Sequence, residues 1–469
     1  MKHQPSTSML QRSARLQASE SVAVVRRTRI WCLVLGCSLV LGVWCLEFPA
    51  SAQPTNGPTP IDLPTALRLA GAQNLDIQIA RERAAEARAD YHRAVEQFFP
   101  WVSPGIVYRQ HDDNTQDTAG NIVNVNKYSY APGATIGVQL DLGDALYKSL
   151  AAKQLAEVAD RARDVQSKDT VLAAARGYFD LVLAQGAVGV ANESVGISSD
   201  YQIQLDNAVQ AGIAFKGDLL RARVQEERNR LVLRQAREHQ RVTAARLAQV
   251  LHLDPTVELV PPAADLFPLT LIETNTALHT LVEQGLSSSR NKIKNSQALI
   301  AAAREQKNGA AFGPLIPTLG AQAFWGGLGG GRDGVPDTFG GQQDYIVGAS
   351  WRIGPGGLFD FGRLHSAEAR LKIAELDSEK LQDEIIRQVV EAFTRWQSLA
   401  DQLGTAKRAL VAAEEGLRLA QERKAFAVGV VLETIQAEQD LTRARLDYLK
   451  TIVEFNQVQY ALNRATGKL

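Results

Sequence analysis

The chain has 469 residues, enough for two or three ordinary domains, and its 51 basic and 51 acidic side chains give a formal net charge of zero. That balance supplies no bulk electrostatic attraction for nucleic acid. All three cysteines, Cys32, Cys37 and Cys45, sit near the N-terminus, so the remainder has neither disulfides nor thiol chemistry.

Arg26, Arg27 and Arg29 precede an apolar run from Ile30 to Leu46, and Ala50-Ser51-Ala52 follows as a small-residue cleavage site. Residues 1–52 therefore read as a secretory signal peptide with a long leader. Trp44 stands where a lipoprotein signal at Cys45 wants a small residue. Downstream, no unbroken apolar stretch reaches the length of a membrane-spanning helix, and none is expected there.

After a linker at 53–60 the chain tells its story twice. "FFPWVSPGIVYRQ" surrounds Pro100 and "FGPLIPTLGAQAFWGG" surrounds Pro317; Gly212 and Gly429 mark later breaks at the same spacing of 217 residues. A period this long is too large for a solenoid unit and implies two copies of one module.

The first copy, 61–253, is expected to hold a helix from Leu63 to Phe98 and strands at 103–111 and 130–142. A long helix from Asp144 to Gln210 follows, then a break at 211–217 and a return helix from Asp218 to Leu253. In its second strand Ala134, Ile136, Val138 and Leu140 alternate with Thr135, Gly137, Gln139 and Asp141, the period-2 pattern of a two-faced strand.

A linker at 254–269 leads to the second copy, 270–469, with a helix from Thr270 to Ala311 and strands at 318–325 and 345–353. Tyr345, Val347, Ala349, Trp351 and Ile353 alternate there with smaller or polar residues. The polar, Gly-rich stretches inside each strand pair read as outer loops. From Phe361 to about Ala427, Ile385, Val389, Ala392, Trp396, Leu399, Leu403, Ala406, Leu410, Ala413, Leu417 and Ala420 step by 4 and 3, a heptad seam. Leu441 to Ala465 step the same way back, so the two segments predict an antiparallel hairpin.

Four strands per chain cannot close a barrel, and an open edge is forbidden in lipid. If the strands span a membrane, several chains must share one barrel; three would give twelve strands. Trp101, Tyr108, Tyr128, Tyr130, Trp325, Tyr345 and Trp351 are the candidate membrane-interface aromatics. The fold class is thus mostly α with a small β part; a long helical coiled-coil barrel plus a β-barrel shared between protomers is what the family resemblance given below implies.

Enzyme signatures are missing from the sequence. Asp360-Phe361-Gly362 has no kinase companions, "GGLGGGRDG" lacks the end of a phosphate loop, and there is no G-x-S-x-G or H-E-x-x-H. No catalytic residue, metal ligand or cofactor is expected.

The segments "IDLPTALRLAGAQNLDIQIARERAAEARADY", "FFPWVSPGIVY", "SWRIGPGGLFDFGRLHSAEARLKIAE" and "VGVVLETIQAEQDLTRARLDYLKTIVEFNQVQYALNRATG", in this order, resemble the TolC-type outer-membrane efflux protein family. The resemblance implies a homotrimer in the outer membrane of a Gram-negative cell, extending into the periplasm. It implies an exit duct for an efflux pump or a type I secretion system, with a periplasmic adaptor and an inner-membrane pump as partners. Adaptor docking would fall at the hairpin tips, Gly212, Ile213 and Ala214 in one repeat and Gly429, Val430 and Val431 in the other. Some relatives carry an acidic constriction near the tip, for which Asp200, Asp206, Glu415 and Glu422 are the candidates. The alternative is a periplasmic coiled-coil adaptor or scaffold without a pore.

Overall fold

The computed structural model describes residues 58–468, except 263–265, 274–275, 333–334 and 426–429. The expected signal peptide at 1–52 and the tip residue Gly429 lie outside the described residues. The first repeat runs β1 (Thr59–Pro60), α1 (Leu63–Gln73), α2 (Leu75–Glu96), β2 (Trp101–His111), β3 (Asn114–Gln116), β4 (Ile122–Asn124), β5 (Lys127–Asp141), α3 (Leu142–Gln210) and α4 (Lys216–Val250). The second runs β6 (Leu259–Val260), α5 (Leu278–Ser288), α6 (Arg290–Phe312), a 3₁₀ turn, β7 (Thr318–Arg332), β8 (Thr338–Ser350), α7 (Phe361–Ala425) and α8 (Val431–Ala465). The helices of 11, 22, 69 and 35 residues are repeated as 11, 23, 65 and 35, so the sequence repeat is a structural one.

At 1.5 Å per residue α3 and α7 are each roughly 100 Å long. Towards the sheet the neighbours run α2, α3, α6, α7; towards the hairpin turns they run α4, α3, α8, α7. The heptad seam of α7 explains this packing. Ile385, Val389, Ala392, Trp396 and Leu399 are buried, as are Leu417 and Ala420, and the four seam residues between them are half-buried. Two further cores pin the midsection. Ile61 and Ala70 from the α1 region join Leu181 of α3 and Leu247 of α4, while Leu281 of α5 joins Trp396 of α7 and Leu462 of α8.

Two expected helices break, each for a polar reason. Asn74 takes an extended conformation between α1 and α2; its Oδ1 accepts from the Asp76 amide at 2.8 Å and its Nδ2 donates to the Val250 carbonyl at 2.7 Å. An asparagine that caps the next helix while tying down a distant chain end cannot stay inside a helix. The helix expected from Thr270 instead begins at Leu278 and breaks again at Ser289. Its predecessor is held extended by α8: Leu269 and Leu271 amides donate to buried Asn456 and Gln459 side chains, both at 2.8 Å. α3 also contains an 18-residue window of mean hydropathy 1.2, apolar enough to cross a membrane by composition. Its alanines and glycines never form one unbroken run, and Ala174, Ala175 and Leu181 at 0 % exposure serve the core.

The four-stranded sheet is antiparallel throughout, in the order β2-β5-β7-β8. β7 does not end at Trp325: it runs on through Gly326–Gly331 to Arg332, and β8 starts at Thr338. The expected outer loop between them is therefore mostly strand. Aromatic rings from neighbouring strands cover the glycines; a Cβ at Gly329 would collide with the Tyr130 ring, and one at Gly327 with Phe339. The ladder between β5 and β7 skips only Ala131 and Pro132, where proline has no N–H to give.

Candidate functional site

Two regions have geometry that goes beyond packing: the sheet and the hairpin tips. In an antiparallel ladder directly paired residues share a face. The registers put Val102, Ile106 and Tyr108 of β2 on the same face as Tyr128, Tyr130, Ile136 and Val138 of β5, Leu319, Ala323 and Trp325 of β7, and Phe339, Tyr345 and Val347 of β8. Across all four strands that face carries no charged residue. The opposite face bears Arg109, Lys127, Asp141, Arg332 and Asp344, with many glycines between. Ile106, Tyr108, Phe339, Tyr345 and Val347 are exposed, the last at 84 %. A strand of 15 residues at about 3.3 Å each, tilted about 40°, rises more than the ~25 Å of a membrane's apolar band.

Most of the predicted interface aromatics lie on this apolar face. Tyr108 stacks on Tyr128 with ring centroids at 6.4 Å, and Tyr130 on Phe339 at 6.0 Å, at the end of the sheet far from the helices. Trp325 meets Tyr345 edge-on at 5.6 Å and donates to its hydroxyl at 3.0 Å, nearer the middle. Trp101 belongs to the other face, where its ring fills the space over Gly137, because its position in β2 is odd and Tyr108's is even. Trp351 and Ile353 fall past the end of β8; Trp351 donates to the Leu315 carbonyl at 3.3 Å, at the helix end of the sheet. Phe339, missed in the sequence because it sits inside the Gly-rich stretch, completes the distal aromatic row.

At the opposite end, α3 closes with a Schellman motif. Gly212 has φ +71°, its amide donates to the Val209 carbonyl at 3.0 Å, and the Ile213 amide donates to Ala208 at 2.8 Å. Ile213 is 84 % exposed and Phe215 is exposed beside it; Ala214 turns inward. In the second repeat Val430 is exposed before α8, Val431 packs inward, and Leu432 is exposed. Each tip thus shows the same three-residue sequence of outward, inward and outward apolar side chains. The outward Phe215 and Leu432 are functional candidates that glycine-centred reading of the breaks overlooked. Beneath them, Tyr201, Leu205, Leu219, Ala222 and Ile435 join the two hairpins in one core.

The acidic constriction candidates are not brought together as a free cluster. Glu415 and Glu422 both hold Arg418 on the exposed face of α7, and the guanidinium keeps the Glu415 carboxyl below its ordinary range. Asp206 faces Arg223 of α4 at 3.4 Å. Asp200 is exposed with no ion-pair partner among the described residues. Asp360, of the kinase-like triplet, caps α7 by accepting from the Arg363 amide at 2.9 Å. Among the described residues no group of three or more His, Cys, Asp or Glu is arranged to hold a metal.

Comparison with solved structures finds the same fold in outer-membrane proteins. The chain is similar to the CmeC outer membrane channel of Campylobacter jejuni, with TM-score 0.72 and 15 % identity over 86 % of this chain and 85 % of that one. It is similar to the Vibrio cholerae outer membrane protein VceC, with TM-score 0.68 and 16 % identity over 86 % and 96 %. It is also similar to the open-state MtrE channel of Neisseria gonorrhoeae, with TM-score 0.68 and 18 % identity over 86 % and 88 %. A search of curated protein sequences gives no match. Residues 283–468 match the family described as outer membrane efflux protein. That match covers most of the second repeat, and the first repeat is its structural copy.

Proposed function

We propose that three copies of this chain form an exit duct that passively conducts substrates across the periplasm and outer membrane, for a tripartite efflux pump or a type I secretion system. The observation that carries this is the sheet. It has one uncharged apolar face, one polar face and two unpaired edges, β2 and β8, whose residues are almost all exposed. In lipid both edges must pair. Edge-to-edge pairing of β8 with β2 of the next copy supplies that, with the apolar face outward and the polar face lining a pore; three copies make twelve strands. Apolar residues left exposed on the outermost helices support the same side-by-side packing: Leu220, Val224 and Leu231 on α4, and Ile373, Leu376 and Val411 on α7.

The tips Gly212, Ile213 and Ala214, with Gly429, Val430 and Val431, would then meet a periplasmic adaptor coupled to an inner-membrane pump. The distal row of Tyr108, Tyr128 and Tyr130, together with Trp325, Tyr345, Trp101 and Trp351, would sit at or near the lipid boundaries. The part of the chain beyond residue 57 has no cysteine, so cross-linking is clean. One cysteine at Ser103 of β2, paired in turn with single cysteines along β8, should give covalent dimers and trimers in outer membranes. Only monomers at every β8 position would contradict the shared barrel.

A further inference from the structure

The hairpins of the two repeats meet where α8 packs on α3 and α4, and a carboxyl group lies buried among the polar side chains of that seam. Glu438 of α8 is 4 % exposed. Its Oε1 accepts from Asn229 Nδ2 of α4 at 2.7 Å. The same Nδ2 also lies within reach of the Ser194 carbonyl at 3.1 Å and Ser198 Oγ at 3.0 Å, both on α3. Asn229 Oδ1 accepts from Gln225 Nε2 at 3.0 Å, and Gln225 in turn accepts from Gln439 of α8 at 2.8 Å. One turn along α8, Thr442 shares a hydroxyl bond with Ser194 at 2.7 Å. Asn229 therefore joins three helices, and among the described residues the one donor to Glu438 is that neutral amide.

Several charged side chains of the neighbouring helices are engaged elsewhere. On α4, Glu226 holds Arg230 at 2.6 Å. On α3, Glu193 takes Arg445 of α8 at 2.6 Å, and that arginine's other nitrogen lies 3.8 Å from Glu414 of α7. Lys424 of α7 lies over the Tyr201 ring at 3.7 Å and donates to Gln204 at 3.1 Å. No cation lies within ion-pair distance of Glu438 among the described residues. A buried carboxylate with an amide as its one partner is poorly compensated, whereas the neutral acid is not. Burial pushes the Glu438 carboxyl up to about 6, with the Asn229 bond opposing this.

We propose that Glu438 is a proton-operated latch between the two helical hairpins: as the neutral acid it holds α8 against α3 and α4, and on losing its proton to solvent it loosens that seam. The packed-state carboxyl titrates above its ordinary value. The contribution to packing is therefore complete at low pH and is lost as pH rises through about 6. The inference concerns one protomer's hairpins and needs neither cargo nor pore, so it stands apart from the exit-duct reading.

Hydrogen exchange of the full mature protein, corrected for the intrinsic pH dependence of exchange, tests it. Amides of α8 around Glu438 should open roughly tenfold more readily at about pH 7.5 than at about pH 5. Glu438→Gln, which mimics the neutral acid, should flatten that dependence while α7 and the sheet stay unchanged. A wild-type profile that is flat, or an identical slope in Glu438→Gln, would overturn the latch. Should that variant fail to assemble, Asn229→Ala decides: removing the donor that favours the carboxylate should move the midpoint to higher pH, and an unmoved midpoint counts against the proposal.

Discussion

At Gly212 the chain needs a left-handed residue, and any non-glycine side chain there costs about 1–2 kcal/mol. Gly212→Val should therefore lower the protection of the last turn of α3 by local exchange, with little effect at the sheet. Ile213 is different: exposed at 84 %, it contributes little to folding. Ile213→Glu should leave assembly and thermal midpoint unchanged and abolish efflux in a drug-susceptible strain; full resistance would remove the tip from the docking surface. Asp360 caps α7, so Asp360→Ala should cost about 1 kcal/mol, read as faster exchange in its first turn. Such roles were partly legible. Glycine at a helix break and aspartate at a helix start announce themselves locally. The partners of Glu415, Glu422 and Asp206 do not, since an acidic residue in a sequence carries no mark of the arginine that will neutralise it.

The elements follow the same division. The α7 seam could be read directly because its 4-3 stepping is the packing surface, from buried Ile385 to buried Ala420. The alternation of Ala134 to Leu140 correctly separated the two faces of β5, and the register extends that face across all four strands. What stayed hidden depends on long-range contacts. Asn74 breaks a helix for the sake of Val250, the extended segment before α5 is held by Asn456 and Gln459 nearly 190 positions away, and Gly326–Gly331 becomes strand because rings from neighbouring strands cover it. The face assignment makes a direct prediction. Val347→Arg on the apolar face should cost about 2–4 kcal/mol in the membrane and block barrel assembly, whereas Gln342→Arg, on the polar face of the same strand, should assemble normally. Equal outcomes, judged by heat-modifiable migration of outer-membrane fractions, would reverse the faces.

For the whole molecule, the decisive feature is incompleteness. Two repeats give one protomer a sheet with both edges open and a set of long helices whose outer members, α4 and α7, keep exposed leucine, isoleucine and valine. On the proposed reading such a chain closes its structure by meeting copies of itself, as the repeat length of 217 residues with its two equal halves suggests. The number of copies rests on strand arithmetic and family likeness, and it is the central claim to test. Electron microscopy of the detergent-solubilised protein tests it most directly. A hollow particle with three-fold symmetry, well over 100 Å long and carrying a short wide barrel at one end, is the expected result. A solid rod, or a compact particle without a pore, would contradict the duct and leave a periplasmic coiled-coil scaffold in its place.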